Sequence, residues 1–270
     1  MNSKLSVVVG LGEIGRPILK LLSESAPAFG YDINPKLNNK KQAKKYENVP
    51  VSMLHVCIPF SEKFNQNVIH LHQKFLPEII VIHSTVSPYT TKRLQKKLPC
   101  PVIYSATRGV HRRMLRDLKR YPKFFAIEKT GPKSGWAAKK YSDLLRKCNV
   151  RPKQMKEPVT LELAKIVVDT TYYGWLISYA QLSNMIAKKY GVDYDEMWTF
   201  SDDIQKFLGN RPKMFPGFIG GHCIIPNLKL IDEADFWQID RINNTHARKV
   251  KDAKSIAKKY VRGRQSYDGT

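Results

Sequence analysis

The sequence predicts an α/β fold in which an N-terminal doubly wound parallel sheet, reaching to about residue 150, precedes an α-helical domain with a long central helix. Three observations carry this. Short apolar runs without polar alternation recur through the first half, as a sheet covered on both faces requires. Lys-rich stretches of helical length separate most of them. From Pro158 to Tyr190 comes a long segment with no interior proline, whose apolar residues fall at helix-compatible spacings on more than one face.

Taken in order, the strands are Leu5–Val9, Ala28–Asp32, Met53–Pro59, Ile79–Ser84, Val102–Ser105 and Phe124–Glu128. Thr90–Leu98 and Trp136–Lys147 read as helices, and Asn149-Val150-Arg151-Pro152 as a break. In the long helix, Leu161, Ile166, Val167, Trp175, Leu182 and Ile186 point to burial on several sides, by a second domain or a second subunit. Gly191 is placed to cap its C-terminus. A strongly basic helix is expected over His246 to Val261. The organisation is therefore a sheet domain over 1–150, a helical domain over 151–240 and a basic tail over 241–270.

With 270 residues, 42% of them hydrophobic, the chain can bury a sizeable core and does not read as disordered. No apolar run approaches the roughly 20 residues of a membrane span. The apolar start, Leu5 to Val9, is too short for a signal-peptide core and ends in glycine, so it reads as a strand. Cys57, Cys100, Cys148 and Cys223 show no C-x-x-C spacing, and reduced thiols in a cytoplasmic protein without a metal site are expected. The formal charge of +23 is spread widely and no zinc-finger or RNP-like pattern accompanies it. A solvated basic surface that attracts an anionic small molecule is favoured over a nucleic-acid or membrane site.

Val7-Val8-Val9-Gly10-Leu11-Gly12-Glu13-Ile14-Gly15 is a G-x-G-x-x-G between a strand and a helix. Gly10 permits the tight turn, Gly12 lets backbone approach a pyrophosphate, and Gly15 lets the helix pack on the strand. The helix N-terminus offers N–H groups and a positive dipole end to that anion. Asp32 follows Gly12 by twenty residues, where a carboxylate accepts both ribose hydroxyls and favours NAD over NADP. These features define a Rossmann unit. Pro17, expected to sit deeper than the first turn, would remove one hydrogen bond from the helix.

A second constellation is Phe215-Pro216-Gly217-Phe218-Ile219-Gly220-Gly221-His222-Cys223-Ile224-Ile225-Pro226. Glycines flanking a lone cysteine suit a thiol presented to a ligand, and equally a small buried residue under a tight turn.

Together with Gly30-Tyr31-Asp32, His55-Val56-Cys57-Ile58-Pro59, Ser84-Thr85-Val86-Ser87-Pro88 and Glu162-Leu163-Ala164-Lys165, these motifs make the chain resemble the UDP-glucose/GDP-mannose dehydrogenase family. The resemblance spans roughly residues 5 to 230, and Gly-Gly-His-Cys looks most like the N-acetylmannosaminuronate-type branch. It implies a helical second domain of the 6-phosphogluconate-dehydrogenase-like kind, a homodimer, and NAD-dependent oxidation of a nucleotide-linked hexose. By that resemblance Cys223 is the nucleophile and Lys165 stabilises the alkoxide. Thr85 positions water or cofactor, Asp169 and Asn227 stand at further catalytic positions, and Pro59, Ser84 and Thr85 border the cofactor with Gly10 to Gly15 and Asp32. Arg211, Gly220, Gly221 and Lys165 would contact substrate.

The chain departs from the family's pattern at several of these positions. Thr107 stands where the family has the glutamate that handles the hydrolytic water, Asp169 where it has Asn, Asn227 where it has Asp, and Ala180-Gln181 where it has Asn-Glu. The family's further nucleotide-sugar-binding domain has no counterpart in this sequence, so a separate partner subunit is one expectation. A two-electron β-hydroxyacid-type dehydrogenase and a non-catalytic NAD-binding subunit are the alternatives.

Overall fold

The computed structural model describes residues 4–221, 223–231 and 233–250, so the tail expected over 251–270 lies outside the described residues. The chain divides into two compact units, the first ending at Lys165 and the second beginning at Ile166.

The first unit holds β1 (Leu5–Val9), α1 (Gly15–Ser23), β2 (Ala28–Tyr31), α2 (Lys40–Lys45), β3 (Val51–Val56), α3 (Phe64–Phe75) and β4 (Ile79–Ile82). It continues with α4 (Thr90–Gln95), β5 (Val102–Tyr104), α5 (Met114–Arg120), β6 (Lys123–Ile127), α6 (Ser134–Lys147), β7 (Pro152–Gln154) and α7 (Pro158–Leu163). The sheet order is β2-β1-β3-β4-β5-β6-β7. β1 to β5 run parallel, with Val8 opposite Gly30 on one side and His55 on the other. The runs are uninterrupted because alternate residues serve opposite layers: Val7 and Val9 join an apolar cluster with Leu54, Ile80 and Val68, whereas Val8 joins one with Ile18, Val81 and Tyr141.

Two sequence expectations need correction here. β6 pairs antiparallel with β5, because the segment carrying α5 leaves and re-enters the sheet at the same edge. The break expected near Pro152 is instead a seventh strand, Pro152–Gln154, parallel to β6, so the first unit ends at Lys165 and not near residue 150. Pro17, the third residue of α1, lies between the Arg16 N–H, which donates to the Gly12 carbonyl, and the Ile18 N–H, which donates to the Ile14 carbonyl, so its missing N–H interrupts that ladder by one bond, as expected.

The second unit is helical. A π-helical stretch, Ala164–Thr171, joins the two units in sequence and is followed by α8 (Tyr172–Tyr190), α9 (Tyr194–Thr199), α10 (Asp202–Leu208), α11 (Ile224–Leu228) and α12 (Trp237–Lys249). The long helical segment is thus continuous but not uniformly α. Gly191 closes α8 at φ 71°, its N–H donating to Ala187 and Lys188 carbonyls, as a C-cap does. Gly174 allows close packing, since a Cβ there would lie 2.7 Å from Ile224. The buried stripe of α8 is small and polar: Gly174, Ser178, Gln181, Asn184 and Ala187. Leu182 and Ile186, expected to be buried, are exposed in the single chain together with Tyr179 and Tyr190. α12 runs from Trp237 to Lys249 and Val250 is extended, so the basic helix expected over His246 to Val261 meets it only at His246–Lys249, and the remainder lies outside the described residues.

Candidate functional site

In the first unit the residues foreseen for a cofactor gather where the parallel strands end, the edge at which open α/β sheets bind ligands. Gly10 leaves β1 at φ 89°, and a Cβ on it would lie 2.8 Å from the Cys57 carbonyl oxygen. A Cβ on Gly15 would lie 1.7 Å from the Gly10 carbonyl oxygen. The fold itself demands both glycines. Gly12 differs: no protein atom lies within 4 Å of where its Cβ would stand. That open space leaves room for the close approach a pyrophosphate requires.

Asp32, half-buried, braces the turn. Its Oδ2 accepts the Leu11 N–H at 2.7 Å and its Oδ1 the Asn34 N–H at 2.8 Å. The Asn38 side chain pairs with the Asp32 backbone on both its N–H and its carbonyl. Leu11 is buried and its N–H is taken by Asp32, so it shapes the turn. Glu13 is exposed and Ile14 half-buried at the N-cap of α1. Ile33, beside Asp32, is 93% exposed and offers an apolar surface of the kind a flat base covers. Pro59 is exposed beyond β3. The Ser84 hydroxyl donates to the Ile58 carbonyl, tying the ends of β4 and β3, and Thr85 follows half-buried. These groups fit a dinucleotide.

Beneath this edge lies a polar network that the motifs do not signal. His83 Nδ1 is 2.9 Å from the Ser105 carbonyl, and His55 Nδ1 is 3.0 Å from His83 Nε2. A carbonyl only accepts, so His83 carries its proton on Nδ1, its Nε2 accepts from His55 Nδ1–H, and both rings are neutral. Burial, then the charge of Lys123, lowers the His55 pKa to about 3; burial likewise takes His83 well below its usual value. Tyr141 donates to the Ser105 hydroxyl, and burial raises its phenol well above the usual range.

Lys123, opposite the end of β5, is buried and donates to the Ala106 carbonyl and to Thr107 Oγ1, each at 2.9 Å. Burial lowers its pKa to about 7, against Cys57, which raises it, and with Lys165 and Arg108, which lower it further. Cys57 is itself pushed up to about 12 by burial. Thr107 receives a hydrogen bond from a lysine, so its hydroxyl hydrogen is left to donate. Its polarity is the reverse of a carboxylate base.

Lys165 follows a helix, α7, that Glu162 anchors. That carboxylate is wholly buried and accepts from Tyr89 N, Thr91 N and Thr91 Oγ1 at 2.6, 2.9 and 2.7 Å. Burial raises its pKa while these donors oppose the shift. α7 is thereby pinned to the start of α4, and Lys165 follows half-buried at the start of the π-helical stretch.

In the second unit Asp169 lies half-buried in the π-helical stretch. Cys223 is exposed at the N-cap of α11, and Asn227, one turn on, is buried. Gly220 and Gly221 are exposed before it, Gly221 at φ 79°. Arg211 is exposed, its guanidinium donating to Asn210 and its N–H to Gln205. The second unit therefore brings Cys223 and Asn227 onto one short helix, with Gly220 and Gly221 leading into it.

Sheet order, glycine turn and acidic brace define a class of fold: a Rossmann-like α/β unit followed by a helical unit. No protein-family model matches the sequence, and no curated protein matches it either. Solved structures match the fold. UDP-D-ManNAc dehydrogenase from Pyrococcus horikoshii aligns at TM-score 0.72 and 18% identity over 90% of this chain and 68% of its own. A UDP-glucose dehydrogenase from Pyrobaculum islandicum aligns at TM-score 0.67 and 16% identity over 91% and 68%. Mycobacterium tuberculosis 3-hydroxyisobutyrate dehydrogenase aligns at TM-score 0.62 and 13% identity over 94% and 95%. The resemblance read from the motifs is matched by this likeness of fold.

Proposed function

We propose that the chain is an NAD-dependent oxidoreductase acting on a CH–OH group of an anionic, nucleotide-sugar-like substrate. The observation that carries this is Gly12, a glycine no protein atom requires, on a turn braced by Asp32. Asp32 would hold an unphosphorylated ribose, and the N-terminus of α1 would offer its N–H groups to the pyrophosphate. When bound, NAD supplies the hydride acceptor. Lys165 donates to the substrate oxygen as the carbonyl forms, and the positive surface draws the anion in. Cys223 adds its sulfur to an aldehyde product, in the manner of the nucleotide-sugar enzymes the chain resembles.

A second reading rests on Thr107. Release of an acid from a cysteine thioester needs a base for the attacking water, and Thr107, holding the Lys123 hydrogen bond, cannot be one. A two-electron, β-hydroxyacid-type oxidation needs neither that base nor Cys223, and the match to 3-hydroxyisobutyrate dehydrogenase over nearly the whole of both chains agrees with it.

The test is NADH formation at 340 nm with a panel of UDP- and GDP-sugars and of β-hydroxyacids, using the wild type and Cys223→Ser. Two NADH per sugar, falling to one or none in the variant, supports the first reading. One NADH per hydroxyacid, unchanged in the variant, supports the second. NAD binding without turnover on any substrate removes both and leaves a partner-dependent or non-catalytic subunit.

The exposed Tyr172, Tyr179, Ile186 and Tyr190 on α8, with Phe200 and Phe207 nearby in sequence, form an apolar surface suited to a second copy of the chain. Light scattering should give twice the 31.1 kDa chain mass, and Ile186→Glu should halve it.

A further inference from the structure

The loop Phe215–Gly221, from which the chain passes into Cys223, is neither helix nor strand, yet its backbone is satisfied at two buried points by side chains from far along the sequence. Asn243 on α12 accepts the Ile219 N–H on Oδ1 at 2.8 Å and donates from Nδ2 to the Ile219 carbonyl at 3.0 Å. Gln181 on α8 donates from Nε2 to the Gly217 carbonyl at 2.7 Å and to Asn243 Oδ1 at 3.0 Å. Both amides have one orientation only. Ile219 needs an acceptor for its N–H and a donor for its carbonyl, which fixes Asn243, and the oxygen Asn243 then presents requires the nitrogen of Gln181. Asn243 stands where a neighbouring strand would stand, and Gln181 locks it. Asn243 is 1% exposed and Gln181 0%, so water does not compete for these bonds.

We infer that Gln181 and Asn243 are positioning residues for Cys223: they clamp the glycine-rich loop between α8 and α12 and so set where the thiol emerges. The kinetic consequence rests on the reading of Cys223 as nucleophile; the ordering of the loop does not. Gly220 and Gly221, which follow the clamped Ile219, have no side chain to hold their course, and a Cβ on Gly221 would meet nothing within 4 Å. The clamp is the last buried side-chain hold on the described backbone before the cysteine.

The experiment uses the full-length chain and three variants, Asn243→Ala, Gln181→Met and, as a packing control on the same helix face, Ile239→Val. Ile239 is wholly buried in one apolar cluster with Ile219 of the loop and Ile224 and Leu228 of α11, so it tests loss of packing at the loop without loss of a hydrogen bond. Hydrogen exchange of the 215–221 segment, and the rate of Cys223 alkylation by iodoacetamide read by peptide mass, are measured first. Loop exchange should rise about tenfold or more in Asn243→Ala and less in Gln181→Met, as loss of two or one buried hydrogen bonds implies, with the alkylation rate shifting in both. Ile239→Val should leave both near wild type. On a substrate that turns over, kcat should fall roughly tenfold to a hundredfold in Asn243→Ala while KM for NAD stays within about twofold. Loop exchange and alkylation unchanged in Asn243→Ala, or moved equally by Ile239→Val, would overturn the clamp. Where Asn243→Ala fails to fold, Gln181→Met and Asn243→Asp, which keeps the acceptor for Ile219 N–H, carry the same readouts. If no substrate turns over, the reading of Cys223 fails, and exchange and alkylation still decide the clamp.

Discussion

Two glycine-rich segments serve the two halves of the proposed chemistry, and they are held in opposite ways. The turn Gly10–Gly15 is fixed by its own backbone and its nearest strand. Gly10 packs on the Cys57 carbonyl, Gly15 on the Gly10 carbonyl, and Asp32 accepts from Leu11. The loop Phe215–Gly221 is fixed by amide side chains from two helices, one 36 residues before Gly217 and one 24 after Ile219. The first is a turn whose residue types follow from sterics. The second is an irregular path made permanent by partners its own sequence does not name. A ligand cradle built on sterics needs glycines at fixed spacing; a presented side chain needs only that its loop be anchored.

Substitutions at the glycines test that contrast, and the largest effect falls on Gly15. Gly15→Ala places a methyl 1.7 Å from a backbone oxygen that cannot move without breaking the turn. The loss should exceed about 4 kcal/mol, read as a fall in Tm of roughly ten degrees or more. Acid comes next. Burial, then the charge of Lys188, lowers His246 to about 4, and His55 in the first unit is lowered to about 3. The folded chain keeps both rings neutral while the unfolded chain binds protons below about 6.5. Stability is therefore full above pH 6.5 and drains as pH falls toward 4, by up to roughly 3 kcal/mol for His246. Urea titrations at pH 7 and pH 4.5 should show the fall, and His246→Leu should reduce it; equal midpoints would refute the burial argument. Gly221→Ala comes third. It puts a side chain at φ 79° in open space, costing about 1–2 kcal/mol of strain with no clash. Gly12→Ala should change stability least, within about 0.5 kcal/mol, yet lower NAD affinity tenfold or more by calorimetry. An alanine at position 12 that leaves NAD binding intact would remove the main support for the cofactor reading.

The strands were readable because each is a continuous apolar run whose alternate residues feed two buried layers. Leu5–Val9 matches residue for residue, and Ala28–Tyr31, Ile79–Ile82 and Val102–Tyr104 fall one or two residues short of expectation. Pro152–Gln154 escaped because it is a short edge strand, half-buried at Pro152 and exposed beyond it, with a proline that reads as a break. The direction of β6 escaped because apolar content does not distinguish parallel from antiparallel pairing when both faces are covered. In the long helix the apolar pattern does not mark the side packed within the chain: the buried stripe carries Ser178, Gln181 and Asn184, while Ile186 and Tyr190 are exposed in the single chain.

The sites divide along the same line. Gly10, Gly12, Gly15 and Asp32 were legible because a tight turn at a strand end leaves few residue types able to occupy each position, a constraint local in sequence. Their division of labour was not, since only the packed structure shows that Gly10 and Gly15 answer to protein atoms and Gly12 to none. The His55–His83 chain, the lysine that turns Thr107 into a donor, and the Gln181–Asn243 amides depend on contacts between residues 16 to 62 apart. Sequence spacing carries rules for neighbours on one helix or strand. Buried polar groups satisfy one another across elements, so tertiary packing alone decided which of them meet.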